Sequence, residues 1–532
     1  MDPVAELHAA VEAAAGTVAE LKSRPTLERP KQADHGDYAT NVAMLLAPAA
    51  GKPPREIAEQ VGERLRSDLG DRLAAVEVAG PGFLNLRLAD AWFASALGHI
   101  LTDTFGTTDR HAGERAQVEF VSANPTGPLT AASGRHAAFG DAVARLLEAV
   151  GYAVEREYYF NDAGSQVLNL GLSIKARARG EEPPEDGYQG DYVRELADSI
   201  PGAADAEPEA LAAQGIELLI ERIKTTLHDY RVDFDSWFSE ARLHPEGIER
   251  GIERVADHAY RHDDALWLRT TTFGDDKDRV VLRSTGEPTY FAADIAYTLD
   301  KLERGFALLV NVLGSDHHGY IGRLKAIMSA LGEDPARYDI RILQFVNLVE
   351  GGESAKMSKR RGEFVTLDEL VSQIGVDATR WFMLQRSHDS TIDLDLDLAR
   401  QQSAENPVYY VQYAHARIAR VLEKAGEERV AAALAQPGAG VTGLEPAERA
   451  LVKKLLAFPV EVAEAAERRA PHRVASYALE LAQEFTAFYR DCRVVGAEPE
   501  ELESFRLALS VATKRTIARA LDLLGVSAPE SM

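Results

Sequence analysis

Between residues 117 and 160 the chain reads as strand, turn, helix, strand, and no other feature of its 532 residues constrains the fold as strongly. Residues 118–123 are β-like, Asn124-Pro125-Thr126-Gly127-Pro128 breaks the strand, residues 135–149 carry a helical apolar period, and residues 153–160 form a second strand. This order opens many doubly wound parallel sheets, whose ligands sit beyond the carboxyl ends of the strands. The turn after residue 123 is therefore a candidate nucleotide site.

The flanks differ from this centre. Residues 1–110 read as a small α/β module with an amphipathic helix over 4–21, a second helix over Pro54–Leu69 and strand-like alternation over 76–88. There Gly80-Pro81-Gly82 makes a turn and places Phe83 and Asn85 on one strand face, for packing or for binding. Residues 181–240 are charged and loop-rich before a helix near 216–230, the pattern of an insertion between two halves of a sheet, and strand signals return at 279–283 and 306–313. From about residue 376 the periodicity is almost entirely helical, over 407–425, 447–468, 471–489 and 504–524. The expected organisation is an N-terminal α/β module (1–110), a parallel-sheet domain (111–375, insertion near 181–240) and a helical bundle (376–532).

Composition sets the outer limits. A length of 532 residues corresponds to roughly three to four domains, and 45% hydrophobic with 27% charged residues excludes wholesale disorder. The longest apolar run, residues 306–313, falls far short of the roughly 20 residues of a membrane helix. Asp2 and Glu6 stand where a signal peptide is basic, and one cysteine, Cys492, forms neither a disulfide nor a multi-cysteine zinc site. A cytoplasmic protein without a membrane partner is expected. The 59 basic and 84 acidic residues leave a net charge of −25, so any polyanion must be met by a restricted patch.

Three constellations can carry chemistry. Lys356-Met357-Ser358-Lys359-Arg360-Arg361-Gly362 follows Gly351-Gly352, and its cations suit charge building on a pyrophosphate, although a solvated surface loop has the same composition. Gly314-Ser315-Asp316-His317-His318-Gly319 follows an apolar strand, so its polar groups emerge at the carboxyl end of the sheet or form a turn with exposed histidines. Adjacent imidazoles point in different directions and no third ligand is identified, so no metal site is expected. Tyr290 and Asp294, at i and i+4, share a helix face that is either a site wall or a polar edge.

Lys-Met-Ser-Lys is a signature of class I aminoacyl-tRNA synthetases. With His35-Gly36-Asp37-Tyr38-Ala39-Thr40-Asn41, Gly274-Asp275-Asp276-Lys277-Asp278, Asp377-Ala378-Thr379-Arg380 and the segments 118–128, 157–164, 289–297, 314–320, 406–417 and 521–529, the chain resembles the arginyl-tRNA synthetase family over nearly its full length. The resemblance implies a Rossmann-type catalytic domain, an N-terminal module contacting the tRNA D-loop and a helical anticodon-binding domain. It implies arginine, ATP with Mg²⁺ and tRNA(Arg) as partners of a monomer, no dedicated metal site, and a first step that needs tRNA. Glu119, Ser122 and Asn124 would form one wall of an arginine site, with Tyr290 and Asp294 the other and His317 beside it; fixed carboxylates and a hydroxyl select a planar guanidinium over an ammonium. Lys356, Met357, Ser358 and Lys359 would lie over the triphosphate, and Pro128, Ala132, Gly134, Gly314, Asp316, His317 and His318 around ATP. Phe83 and Asn85 would read a D-loop base, and Tyr409, Tyr410, Tyr413 and Arg417 would stack on bases and contact phosphates.

One segment departs from the family. Where it carries His-Ile-Gly-His, Thr130, Ala132 and Ser133 occupy the His, Gly and His positions, so both phosphate-contacting imidazoles are missing. Each lost donor to a developing charge costs ~10²–10³ in rate. Compensation is available from Ser133 as a helix N-cap, from free helix N–H groups and from the Thr130 hydroxyl, which keeps Thr130 and Ser133 among the catalytic candidates. His136, one turn further on, is a displaced imidazole or a helix-surface histidine. Gly127 replaces a lysine that some relatives use upstream, which leaves the work to Lys359. The rival readings are a catalytically silent paralogue that binds tRNA or arginine, and a specialised arginyl-tRNA supply.

Overall fold

The computed structural model describes residues 2–30, 35–354 and 365–532. At its centre lie five parallel strands: β1 (Arg115–Glu119), β2 (Ala153–Phe160), β3 (Ser236–Ser239), β4 (Leu308–Gly314) and β5 (Tyr338–Leu343). Their order across the sheet is β5-β4-β1-β2-β3. The chain therefore builds outward from β1 in one direction, then crosses back to place β4 on its other side, and the switch point lies between β1 and β4. Both strands are buried for most of their length, as expected of a parallel sheet covered on both faces. Helix α1 (Ala131–Ala149) returns the chain from β1 to β2, and helix α2 (Tyr290–Glu303) leads into β4.

The insertion is larger and more ordered than its composition suggests. Helices Ser165–Ala178, Tyr192–Ser199 and Pro208–Asp229 pack around a small core of their own that includes Leu170, Ile174, Val193 and Leu211. The strand expected at 279–283 is Arg279–Leu282, and it belongs to a separate antiparallel sheet with Ala259–His262 and Ala265–Leu268. Alternation reports a half-buried strand but not which sheet it joins.

The N-terminal module keeps Pro54–Leu69 as read, while its first helix ends at Gly16. Strands Leu73–Ala79 and Phe83–Leu88 form the hairpin, and Tyr38–Thr40 pairs on the far side of Phe83–Leu88. In the C-terminal bundle Pro407–Ala425 is as expected, but the single helix over 447–468 is two, Pro446–Leu456 and Phe458–Arg468. Pro459 explains the break, because proline fits the first turn of a helix and breaks an interior. The segment after 376 also contains a strand, Ile392–Asp395, which pairs in parallel with Val346–Glu350. The 375/376 boundary drawn from periodicity thus falls at a backbone break, Gly375 (φ 79°) within Leu367–Leu384, but a small sheet crosses it.

One buried guanidinium joins these parts. Arg380, fully buried, donates to Asp141 Oδ2 on α1 at 2.5 Å, to the Leu524 carbonyl at 2.9 Å and to the Tyr230 and Arg231 carbonyls at 3.1 and 3.2 Å. Three residues earlier, Asp377 receives Arg231, Gln412 and the Ser527 backbone N–H and hydroxyl. Gly525 lies at φ +65°, and a Cβ there would stand 2.1 Å from Arg380 Nη2. Removing one partner of a buried ion pair typically costs ~3–5 kcal/mol. Arg380→Met is therefore expected to lower the thermal midpoint sharply and Gly525→Ala measurably, with Arg380→Lys close to Met because an ammonium cannot reproduce the planar fork; differential scanning fluorimetry checks all three.

Candidate active site

At the switch point, beyond the carboxyl ends of β1, β4 and β5, lies an open cavity of about 490 Å³. Its walls come from the end of β1 and the next turn (Glu119, Val121, Ser122, Ala123), the start of α1 (Ala132, Ser133, His136), α2 (Asp294, Tyr297, Thr298), the turn after β4 (Gly314 to His317) and the residues after β5 (Gln344, Phe345, Val346). Val121 and Ser122 sit at φ +66° and +43°, consecutive left-handed residues without a glycine. Such a conformation in a β-branched residue costs on the order of 1–3 kcal/mol and persists only where the surroundings enforce it. It turns Ser122 so that its hydroxyl donates to Glu119 Oε1 (3.2 Å) and accepts the Tyr159 N–H (3.2 Å).

Beneath this turn is a buried charge network. Lys301 Nζ lies 2.5 Å from Glu119 Oε2, with Lys301 fully buried. Burial alone would lower the Lys301 pKa, but Glu119, Tyr338 and Glu157 hold it above its ordinary value. Glu157 in turn accepts Tyr297, Gln117 and Arg304. Glu119, expected to hold a guanidinium, is thus already neutralised by Lys301, a partner 182 residues away that strand periodicity does not announce.

Asp294 is different. Its Oδ2 is buried and has no hydrogen-bond partner among the described residues. Burial, reinforced by Glu240 and Glu119 and opposed by Arg323, pushes its pKa up to about 7. A carboxylate that pays this desolvation at the wall of a cavity stands ready for a cationic ligand. Tyr290, one turn earlier, does not share the cavity: it is the first residue of α2 and 74% exposed. Asn124 is also outside the wall, held between the Gln166 side chain (2.9 Å) and the Asn161 N–H (3.3 Å).

At the opposite wall, Thr130 and not Ser133 is the N-cap of α1, its hydroxyl accepting the Ser133 N–H at 3.3 Å. Ala132 and Ser133 face the cavity in the first turn, where helix N–H groups favour an anion. Gly134 is directed elsewhere: a Cβ would meet Leu367 Cδ1 at 2.7 Å, so this glycine lets α1 pack against Leu367–Leu384. Pro128 and His318 lie outside the wall, whereas Gly314, Asp316 and His317 line it, His317 Nε2 standing 3.4 Å from Asp316 Oδ2. Lys356, Met357, Ser358 and Lys359 lie outside the described residues. The chain re-enters at Val365, whose carbonyl accepts the Ala131 N–H, while Leu367 N–H donates to the Leu129 carbonyl. The residues that follow the basic run are thus stitched to the start of α1.

Of two further wall residues, sequence reading missed Phe345 and left His136 between a displaced imidazole and a helix-surface histidine. Phe345 is 66% exposed directly after β5, where the rule of carboxyl strand ends would have found it. His136 faces the cavity from the second turn of α1. Arg135, buried beside it, donates to the Gln344, Phe345, Ser387 and Ser390 carbonyls and so fixes the segment carrying Phe345.

Two further surfaces matter. Phe83, 37% exposed, and Asn85, largely buried, line one hollow of about 190 Å³ with Glu28, Pro30 and His35. On the helical bundle Tyr409 and Tyr413 stack at 6.1 Å, and Arg417 lies 4.7 Å from the Tyr413 ring and 5.6 Å from that of Tyr489, an exposed ring the sequence did not single out. Tyr410 turns inward and donates to Thr486 Oγ1 at 3.0 Å, so it belongs to the packing. No helix among the described residues is long and apolar enough to cross a membrane.

Comparison with known proteins agrees with this geometry. Residues 5–88 match the model of the arginyl tRNA synthetase N terminal domain, and residues 411–532 that of the DALR anticodon binding domain. An arginine–tRNA ligase of Shouchella clausii is 46% identical over 530 residues, covering 95% of this chain and 94% of the relative, and one of Frankia alni is 48% identical over 533 residues with the same coverage. The Thermus thermophilus arginyl-tRNA synthetase structure superposes with a TM-score of 0.78 at 25% identity, covering 99% of this chain and all of that one. Close to half of all positions shared along almost the entire length places the chain in the arginyl-tRNA synthetase family, with the class I fold.

Proposed function

We propose that the chain is an arginine–tRNA ligase whose switch-point cavity holds both small substrates, with Asp294 as the carboxylate for the arginine guanidinium. The observation that carries this reading is the unpartnered Asp294 oxygen at a cavity wall. In the first step a carboxylate oxygen of arginine attacks the α-phosphorus of ATP, the bond to the β-phosphate breaks, and pyrophosphate leaves. A hydroxyl of the terminal tRNA ribose then attacks the activated carbonyl, forming arginyl-tRNA(Arg) and releasing AMP.

Ser122 lies beside the arginine, held by Glu119 and Tyr159, so it positions a hydroxyl without spending a charge. The helix start at Ala132 and Ser133, capped by Thr130, faces the phosphates of ATP, which arrives with Mg²⁺ as part of the substrate. Gly314, Asp316 and His317 bound the nucleotide, and Phe345 offers an apolar ring to its base. Lys356 and Lys359 act on the triphosphate; the stitching of Val365 to Ala131 supports this, because it holds the chain after the basic run beside α1. Asn124 and Tyr290 serve arginine only if bound substrate draws their segments inward. Phe83 and Asn85 meet the tRNA D-loop, and Tyr413, Arg417 and Tyr409 the anticodon arm, in a monomer acting in the cytoplasm.

Two outcomes are expected. Because a proton on Asp294 competes with a cationic ligand, arginine affinity should weaken by up to about tenfold per pH unit as pH falls below about 7. Asp294→Asn should bind arginine poorly with no such slope; calorimetric titration with arginine, and with lysine as control, checks both. Removing stacking platforms costs ~1–3 kcal/mol each, so Tyr413→Ala should weaken tRNA(Arg) binding by roughly five- to 150-fold while leaving arginine affinity unchanged, as read by filter binding.

A further inference from the structure

The cavity has an imbalance that its proposed substrates must resolve. Its wall carries three carboxylates, Glu119, Asp294 and Asp316, and among the described residues no lysine or arginine. Besides hydroxyls and amides, the donors that the described wall residues offer a phosphate are the imidazoles of His136 and His317. His317 already faces Asp316. His136 has no hydrogen bond to any described residue, and it stands three residues after Ser133, hence on the same face of α1. A Cβ added to Gly314 would lie 3.8 Å from His136 Cε1, so the ring rests against the turn after β4, across the switch point from the helix start.

We propose that His136 is the phosphate-contacting imidazole of this enzyme, donating to ATP from the second turn of α1 where Thr130 and Ser133 supply only hydroxyls. The proposal rests on the ligase reading above and adds to it a residue at a position three beyond the usual signature. Burial and the neighbouring Arg135 pull the His136 pKa down to about 4, so its ring is neutral in the empty cavity and keeps one N–H to donate. An anion arriving between the helix start and the ring gains that donor together with the N–H group of Ala132 and the positive end of the helix dipole. The arrangement also accounts for α1 tolerating a hydroxyl at position 133: Ser133 is in contact range of Thr130 Oγ1 (3.2 Å) and leaves the space in front of His136 open.

The test is tRNA-dependent, arginine-dependent ATP–pyrophosphate exchange by the full chain and by His136→Ala, His136→Gln and Ser133→His/His136→Ala. Loss of a donor to a developing charge predicts a fall in kcat of ~10²–10³ for His136→Ala with a smaller change in KM for ATP. His136→Gln should recover part of the rate through its amide N–H, and the double variant should recover more than His136→Ala by returning an imidazole to the phosphate side of the helix. Arginine affinity and the thermal midpoint should stay at parental values. Exchange by His136→Ala within about twofold of the parent overturns the proposal, and so does a loss matched by equal losses of arginine binding and thermal midpoint, which would assign His136 to packing. Absence of exchange in the parent chain itself would overturn the ligase reading, and this proposal with it.

Discussion

The Arg380 guanidinium is the constraint on which the arrangement depends. A fully buried cation is tolerable only if it is paired and hydrogen-bonded, and here each of its three nitrogens is met, by three segments far apart in sequence: α1 through Asp141, the end of the insertion through Tyr230 and Arg231, and the C-terminal helix through Leu524. Breaking any one contact leaves an unpaired donor in the core, so the segments hold or loosen together. The N-terminal end of α1 lines the cavity and its middle is held by Arg380, which ties the position of the phosphate-side wall to the docking of the helical bundle. Asp377 repeats the device with opposite charge, gathering Arg231, Gln412 and Ser527. A second junction binds the N-terminal module to the bundle, with Lys453 3.0 Å from Asp37 and Arg449 paired to Asp90.

The cavity divides by charge. On the α2 side, Asp294 Oδ2 has no partner among the described residues while Glu119 is neutralised by Lys301, which leaves one carboxylate of the two for the proposed guanidinium. On the α1 side, the helix start and His136 are the groups proposed to meet the anion. In the proposed reading, guanidinium and triphosphate are drawn to different walls of one 490 Å³ space, which would orient the carboxylate of arginine toward a phosphate between them. The net charge of −25 does not oppose this, because selection occurs within a shaped cleft and repulsion elsewhere suppresses wrong dockings of a polyanion.

What the sequence reveals and what it hides follow from the range of the interactions. The β1–α1–β2 order, Pro54–Leu69, Pro407–Ala425 and the placement of Gly314, Asp316 and His317 at a strand end are consequences of local periodicity and chain direction, and they stand as read. Long-range pairing is where reading fails. Glu119 is committed to Lys301, 182 residues on, and Tyr410 turns to Thr486, 76 residues on, because packing decides between equivalent faces of a strand or helix. Capping was misassigned by three residues, since Thr130 and Ser133 are equally good caps; the helix begins at Ala131, whose N–H donates to the Val365 carbonyl. His136 had two readings on a helix wheel, and only the position of Gly314 places it in the cavity wall.

The most direct test of the central claim is the formation of arginyl-tRNA by the purified chain, measured as acid-precipitable radiolabelled arginine on tRNA(Arg) with ATP and Mg²⁺, against lysine as the competing amino acid. Arginine attached to the tRNA in catalytic turnovers, with lysine left free, is the predicted result. Tight tRNA(Arg) binding with no arginine attached would contradict it and leave a protein that binds tRNA without charging it.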